Sequence, residues 1–507
     1  MAVLKNEIFA QKADALKRPL KHVKAEPKRL VKIEEDEGAF QQLRAIPVAN
    51  CEFPITVNSG DSLIFDFGDH FVGQLHFALT HFGDIRIVDS PVKLRFTFGE
   101  FLLEIVTPPE SYKGGLGSGW LQNEVKNVVF TPYSGVLERR YAFRYLKIDR
   151  IDSAVFPVSV STLFADTVSA VSMDDVAPCP ISDPLLEKIY HMSLKTLKEC
   201  EQDVFEDGPK RDRRLWIGDL RLQAMVDFLT FQNKDLVKRC MYLFAAYRTS
   251  DGLVAPCVFP DSPPCVDGWV FLDYCLFFIS CLYDYTKQYQ DLQLLEELYP
   301  VALEQAEKTV AEFDWNTGEL TGSAHIEWCL GLDKGLAAAC VLVYTLKQLS
   351  ELSAILGKNT DWIDEQIKSV SESILSHHVQ EKGLYMTWGG QVSWASQIWF
   401  VLAGILPAEE NRQILLALER ENPGYGIHTP YLMHYYIDAL YQSGMKDKAL
   451  EQIKAFWGQL VEFGFDCCPE IFNPDDHMES PYNAPEINSA CHAWSCTPVY
   501  WIHKLLK

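Results

Sequence analysis

Between Phe205 and Asp219 the chain reads Phe-Glu-Asp-Gly-Pro-Lys-Arg-Asp-Arg-Arg-Leu-Trp-Ile-Gly-Asp, where Glu206, Asp207, Asp212 and Asp219 alternate with Lys210, Arg211, Arg213 and Arg214. Gly208-Pro209 cannot sit inside a helix, so the stretch predicts a shaped loop. From Leu215 onward, Leu215, Leu220, Leu222, Met225, Phe228 and Leu229 fall on one broad apolar face, which predicts that the loop runs into a helix. Carboxylates crowded among guanidinium groups support two readings. One is a salt-bridged loop in which Asp207 or Asp212 caps the following helix. The other is a sugar or acid/base site, because carboxylates and arginines bind sugar hydroxyls and glycosidic cleavage needs one protonated acid and a second carboxylate. Trp216 favours the second reading, since an aromatic ring covers the apolar face of a sugar.

The same pairing of aromatic and ionisable residues recurs downstream. Asp267-Gly268-Trp269, His325-Ile326-Glu327-Trp328, Tyr385-Met386-Thr387-Trp388, Ser393-Trp394, Tyr431 and Cys491-His492-Ala493-Trp494-Ser495 stand at expected helix starts. A lone Trp is more often core than ligand platform, but repetition beside Asp, Glu or His favours a shared cup. Asp466-Cys467-Cys468-Pro469-Glu470 forms a further acidic loop that a closed ring of helices would bring to face Asp212.

The elements that must position these residues divide the chain. Residues 1–45 read as an N-terminal arm, with Lys5, Lys12, Lys17, Arg18 and Lys21 among scattered apolar positions and no hydrophobic signal core. Residues 46–170 carry strand signals at Leu63–Gly68, Gly73–Leu79, Val92–Phe98, Val128–Phe130, Tyr141–Ile148 and Val155–Val158, the last an edge strand because of Pro157. Their spacing predicts an antiparallel β-sandwich. Residues 180–507 change to helical periodicity, beginning with Leu186, Ile189, Tyr190, Ser193, Leu194 and Leu197. Helices are expected at 235–248, 269–289, 292–313, 336–356, 362–377, 395–406, 431–443, 446–463 and 488–506. About a dozen helices in one block predict an α/α toroid, an (α/α)6 barrel, with a plain bundle as the alternative. The fold class is therefore multidomain β + α.

Composition limits the partners. The chain has 507 residues, 48% of them hydrophobic, and a formal charge of -23, which disfavours nucleic acid and anionic membranes. No apolar run approaches the roughly twenty residues of a membrane span. The 14 cysteines are scattered through apolar patterns without CxxC spacing, so reduced thiols, a cytoplasmic location and no metal are expected. Cys467-Cys468 is the odd pair, where a vicinal disulfide would be strained. The oligomeric state is open, a homo-oligomer included.

Asp207-Gly-Pro-Lys-Arg211-Asp212-Arg-Arg-Leu-Trp216-Ile-Gly-Asp219 resembles the signature loop of the α-L-rhamnosidase family of inverting glycoside hydrolases, family 78. Ser489-Ala-Cys-His492-Ala-Trp494-Ser495-Cys-Thr-Pro498 resembles its second signature, and His325-Ile-Glu327-Trp328 followed by Gly331-Leu-Asp-Lys334 a third. Leu63 to Gly73 and Arg139 to Ile148 resemble the preceding sandwich. The resemblance implies that Asp212 is the general acid and Glu470 the general base. It further implies that Asp207, Arg211 and Asp219 hold sugar hydroxyls and orient the acid, and that Trp216, Trp328 and His492 form the pocket wall. Trp269 and Glu327 join these as substrate-binding candidates. The chain departs from the family pattern in having Asp212 for the usual Glu, Glu327 for an Asp, Pro469 for an aromatic, and no C-terminal β-domain. The expected activity is removal of a terminal α-L-rhamnose, or a related sugar, from a small glycoside without a cofactor. The alternatives are a hydrolase of another sugar, a binding or regulatory protein without turnover, and hydration of unsaturated uronic sugars.

Overall fold

The computed structural model describes residues 3–81, 91–154, 156–261 and 263–506. Ten strands form one antiparallel sheet system: Lys21–Ala25, Arg29–Glu35, Leu43–Asn50, Ile55–Val57, Ser62–His81, Val92–Gly99, Asn123–Val128, Tyr133–Val136, Tyr141–Arg150 and Val158–Ser169. Ser62–His81 is its spine, pairing with Tyr141–Arg150 along its first half and with Val158–Ser169 and Tyr133–Val136 along its second. The sequence suggests two strands here because glycine normally punctuates. Gly73 instead marks close approach between strands, since a Cβ there would lie 2.2 Å from the Asp166 carbonyl oxygen. Alternation puts Phe65, Phe67, Leu75, Phe77, Phe96, Phe98, Phe143 and Leu146 into one core, with Phe98 and Tyr141 stacked at 3.7 Å.

Two expectations need correction. Val158–Ser169 is internal, pairing on both sides, because it begins just after Pro157, whose missing N–H therefore costs no ladder bond. Val155, which heads the expected edge strand, lies outside the described residues. Nor do the first residues form a separate arm. Val3–Lys5 pairs with Tyr247–Thr249, helix α1 (Glu7–Ala15) packs on the helical domain, and Lys21–Ala25 and Arg29–Glu35 are strands of the sheet.

After α2 (Leu102–Val106), twelve α-helices follow among the described residues: α3 (Pro184–Cys200), α4 (Ile217–Asp227), α5 (Lys234–Ala246), α6 (Leu272–Tyr289), α7 (Leu292–Ala311), α8 (Gly335–Ile355), α9 (Asp361–His377), α10 (Trp394–Ala403), α11 (Ala408–Glu421), α12 (Pro430–Gln442), α13 (Lys446–Glu462) and α14 (Pro498–Leu505). Helices α4, α6, α8, α10 and α12 contact one another in order, and α14 with the turn Ala493–Ser495 returns the ring to α4. Every residue of α4 is buried, whereas α9 buries only Ile363, Val370, Ser373 and Ile374. Even-numbered helices thus make the inner wall and odd-numbered ones the amphipathic outer layer, the six-hairpin barrel that the periodicity predicts. The stretch expected as one helix over 488–506 is helical only from Pro498, which sets the first turn and frees the residues before it for the site. Ala408–Glu421 was not foreseen; its apolar stripe is short and its surface heavily charged.

The domains are tied by partly buried charge. Arg144 bridges Asp66 of the sheet and Asp466 of the barrel, at 3.0 Å to each. Lys195 of α3 donates to the His70 carbonyl at 2.7 Å.

Candidate active site

The 205–214 loop is shaped by its own acids and braced by the β domain. Asp207 accepts from the backbone N–H of Asp212 at 3.1 Å and of Arg214 at 3.0 Å, so it clamps the loop instead of capping a helix. Leu215–Trp216 pairs with Cys257–Val258 before α4 begins at Ile217. Glu206 takes two bonds from Arg140, at 2.7 and 2.6 Å. Arg213 donates to the Arg140 carbonyl at 2.6 Å. Buried Lys210 bonds the carbonyls of Glu486 and Asn488 and pairs with Glu104 at 2.7 Å. At Gly208 a Cβ would meet the Arg211 carbonyl oxygen at 2.6 Å and Ser489 Oγ at 2.9 Å, so only glycine lets the loop pass the 489–491 segment.

The loop thereby presents Asp212 to a cavity of about 120 Å³ that Glu470 also lines. Arg211 lies between the two carboxylates, 3.7 Å from Asp212 Oδ1 and hydrogen-bonded through Nη2 to Glu470 Oε2. Tyr482 donates to the other Glu470 oxygen at 2.6 Å, and the Tyr482 ring stacks under the Arg211 guanidinium. Trp494 donates its indole N–H to the Glu470 carbonyl, and the Glu470 N–H reaches the Ser489 carbonyl, which fixes the backbone as well.

Burial raises the Asp212 carboxyl above the usual range; Arg214, 3.3 Å away, and Arg211 oppose the rise, and Glu470 adds to it. Burial and then the Asp212 charge raise Asp207 as well. Burial lifts Asp219 well above its ordinary value, with Asp207 and Glu470 adding to the effect. His492 is held neutral by burial and by Arg211, with its ring nitrogens 3.5 Å from Asp219 and 4.0 Å from Asp207. Burial also pushes His325 down to about 3. The arrangement sets carboxyls whose hold on a proton is strengthened by burial beside one that Arg211 and Tyr482 clamp, two unlike environments of the kind acid/base chemistry uses.

Nine of the ten residues singled out in the sequence line this cavity: Asp207, Arg211, Asp212, Trp216, Asp219, Trp269, Trp328, Glu470 and His492. Glu327 does not. Its buried carboxylate accepts from the backbone N–H groups of Trp328, His428 and Thr429, so it shapes the loops that carry Trp328. Asp273 does the same from α6, accepting from the N–H of His325 and Ile326 at 2.9 Å each. Phe271, Tyr274, His325, Tyr482 and Trp494 complete the lining. His325 and Trp494 stand inside recognisable motifs. Tyr482 sits in a loop with no periodic signal, and Phe271 and Tyr274 read as ordinary residues at a helix start. Among the described residues, the one group of metal-ligating side chains within reach of a single ion, His70, Cys467 and Cys491, lies outside this cavity.

Residues 27–167 match the family model described as the glycosyl hydrolase family 78 alpha-rhamnosidase N-terminal domain. Residues 175–506 match the bacterial alpha-L-rhamnosidase 6 hairpin glycosidase domain. No protein with a curated description matches the chain in sequence. Among solved structures, a rhamnosidase from Klebsiella oxytoca with rhamnose bound is 38% identical, covers 99% of both chains and superposes with a TM-score of 0.96. The family 78 rhamnosidase of Bacillus sp. GL1 is 21% identical with a TM-score of 0.76, over 91% of this chain and 49% of its own. The Streptomyces avermitilis alpha-L-rhamnosidase complexed with L-rhamnose shares the fold at 15% identity and a TM-score of 0.68, over 96% of this chain and 44% of its own. The chain belongs to the family 78 α-L-rhamnosidases, a family of glycoside hydrolases.

Proposed function

We propose that the protein is an inverting exo-glycosidase that removes a terminal α-L-rhamnose, or a closely related sugar, from small glycosides, with Asp212 as general acid and Glu470 as general base. The observation that carries this reading is the pair itself: two carboxyls of unlike environment facing one small cavity across a single guanidinium group. The 120 Å³ space is well below the roughly 300 Å³ at which pockets for drug-sized ligands begin, so it suits one terminal ring.

Burial strengthens the hold of Asp212 on a proton, as a donor to the glycosidic oxygen needs. Glu470, held by Arg211 and Tyr482, is oriented to draw a proton from water on the opposite face of the ring. Inversion needs the two carboxyls about 6.5–9.5 Å apart so that water fits, and a guanidinium between them supports that spacing. Asp207 and Asp219 present acceptors, or donors when protonated, to ring hydroxyls. Trp216, Trp269 and Trp328 wall the cavity and suit its apolar edge. A rhamnose-bound relative at 38% identity favours that sugar.

The test is hydrolysis of nitrophenyl α-L-rhamnoside beside the α-L-fucoside, arabinosides, glucosides and β-glucuronide. The product anomer is then read by proton NMR before mutarotation. Asp212→Asn and Glu470→Gln should each nearly abolish turnover while leaving the thermal midpoint close to that of the parent. Silence across the panel, with rhamnose still raising the midpoint, would leave a binding protein instead. Retention of configuration would remove Glu470 from the base role.

A further inference from the structure

We propose that His70, Cys467 and Cys491, together with Cys200, form a buried zinc site that pins the β domain to the barrel. The three residues offer Nδ1 or Nε2 and two Sγ atoms that all lie within 4.8 Å of one another, and all three are buried. Cys200 Sγ is 3.9 Å from Cys491 Sγ in the same buried cluster but lies outside the set of atoms within 4.8 Å of one another, so its side chain must swing inward to complete the tetrahedron. A tetrahedral ion with Zn–S bonds of about 2.3 Å sets its ligand sulfurs about 3.8 Å apart. The thiol pair already stands at that edge length.

The independent pointer is the imidazole. His70 Nδ1 is buried with no oxygen or nitrogen partner, and the Cys467 thiol is the group it faces. The other ring nitrogen, Nε2, lies 3.0 Å from Glu100 Oε1. A carboxylate on one nitrogen fixes the proton there and leaves the other lone pair to face the thiols, the arrangement in which metal-bound histidines are oriented. Glu100 is itself held, since its second oxygen accepts from the Ala490 N–H at 2.7 Å. Lys195 reaches the His70 carbonyl at 2.7 Å and so places a cation beside the cluster. Soft sulfur with imidazole selects zinc over magnesium or calcium. A cavity of about 430 Å³ between the domains includes His70 and Cys467 in its lining, which supplies an entry path.

The ligands are 130, 267 and 24 residues apart in sequence, so no CxxC signature announces them (Cys200 − His70, Cys467 − Cys200 and Cys491 − Cys467). His70 comes from the β domain's longest strand and Cys200 from the end of α3. Cys467 and Cys491 flank the segment that carries Glu470. An ion there would hold the base segment at both ends against the β domain. It is a structural role and needs no contact with substrate.

The test is metal analysis of the intact protein, purified without a histidine tag, kept reduced and dialysed against metal-free buffer. One zinc per chain is expected. Exchange with cobalt(II) should give thiolate-to-cobalt charge-transfer bands and the intense visible absorption of a tetrahedral site. Cys467→Ser and His70→Ala should lose the zinc, whereas Cys265→Ser, at an exposed cysteine, should keep it. Removing zinc with a chelator should lower the thermal midpoint, and added zinc should restore it. The proposal is overturned if the parent holds no stoichiometric zinc, both as purified and after incubation with equimolar zinc. It is equally overturned if bound cobalt shows no thiolate bands, or if mass analysis finds a disulfide within the cluster. The parent's own spectrum decides the matter even if the variants fail to fold.

Discussion

Replacing Gly208 by alanine isolates what the loop does for the proposed acid. The added Cβ would sit 2.6 Å from the Arg211 carbonyl oxygen, 2.9 Å from Ser489 Oγ and 3.1 Å from the Cys491 carbonyl oxygen. Ordinary contact begins at 3.4 Å, so the worst overlap is 0.8 Å (3.4 − 2.6 Å). The two carbonyls belong to backbone, and neither can rotate away as a side chain would. Relief therefore moves the segment next to Asp212 by most of an ångström. A displacement of about 1 Å at a reacting group costs on the order of 100-fold in rate. Overpacking should also destabilise the protein by about 1–3 kcal/mol. The assay is kcat/KM on the nitrophenyl glycoside that the parent cleaves, with a thermal melt on the same sample. Gly119→Ala is the control, since a Cβ there meets nothing within 4 Å. A Gly208→Ala enzyme that melts early but keeps kcat/KM within about twofold would refute the claim that this contact positions the acid.

Tyr482→Phe removes a 2.6 Å hydrogen bond to Glu470 and leaves that carboxylate held by Arg211 alone; kcat should fall about 10-fold or more, with KM nearly unchanged, in steady-state assays. Arg214→Gln removes a cation 3.3 Å from Asp212, while Arg211, Glu470 and Asp207 still face it. Because that cation favours the carboxylate, its loss raises the acid's pKa further. The protonated acid then survives to higher pH, and the alkaline limb of kcat/KM should move up by about one pH unit; a downward shift would be the wrong sign for Asp212 as donor. Lys210→Met strands Glu104 and the carbonyls of Glu486 and Asn488 in the interior, and denaturant melts should show a loss of about 3–5 kcal/mol. Adding Glu104→Gln should recover part of that loss, and no recovery would mean that the ion pair is not what Lys210 supplies.

What could be read in the sequence was whatever periodicity or local chemistry encodes. Helical spacing from Leu186 onward gave the barrel, because each hairpin needs an apolar face toward its neighbours. The 205–219 loop announced itself by composition. Its partners did not. Tyr482 reaches Glu470 from an irregular segment shaped by side-chain bonds within the loop, such as Ser480 Oγ to the Ala484 carbonyl and Asn488, which leave no periodic pattern. Glu327 looked like a ligand for the same reason that Asp207 did, an acid beside a Trp in a loop. Only the three backbone N–H groups around it reveal a carboxylate spent on folding the loop. The first 45 residues lacked strong alternation because their strands lie at the sheet's periphery with many exposed positions, so burial left little pattern there.

The described residues that line the cavity all fall between 207 and 494, so among them the β domain contributes no side chain to it. Yet Arg140 anchors Glu206 and Arg213, and Glu104 anchors Lys210, on both sides of Arg211 and Asp212. The proposed acid, Asp212, is one methylene shorter than glutamate, and a shorter side chain tolerates less backbone error at the glycosidic oxygen. A loop braced from outside by buried ion pairs meets that requirement in a way that a loop held only by the barrel rim would not. If Asp212 is the acid, the β domain acts on catalysis through the stiffness of one loop, and its effect should appear in kcat before it appears in KM.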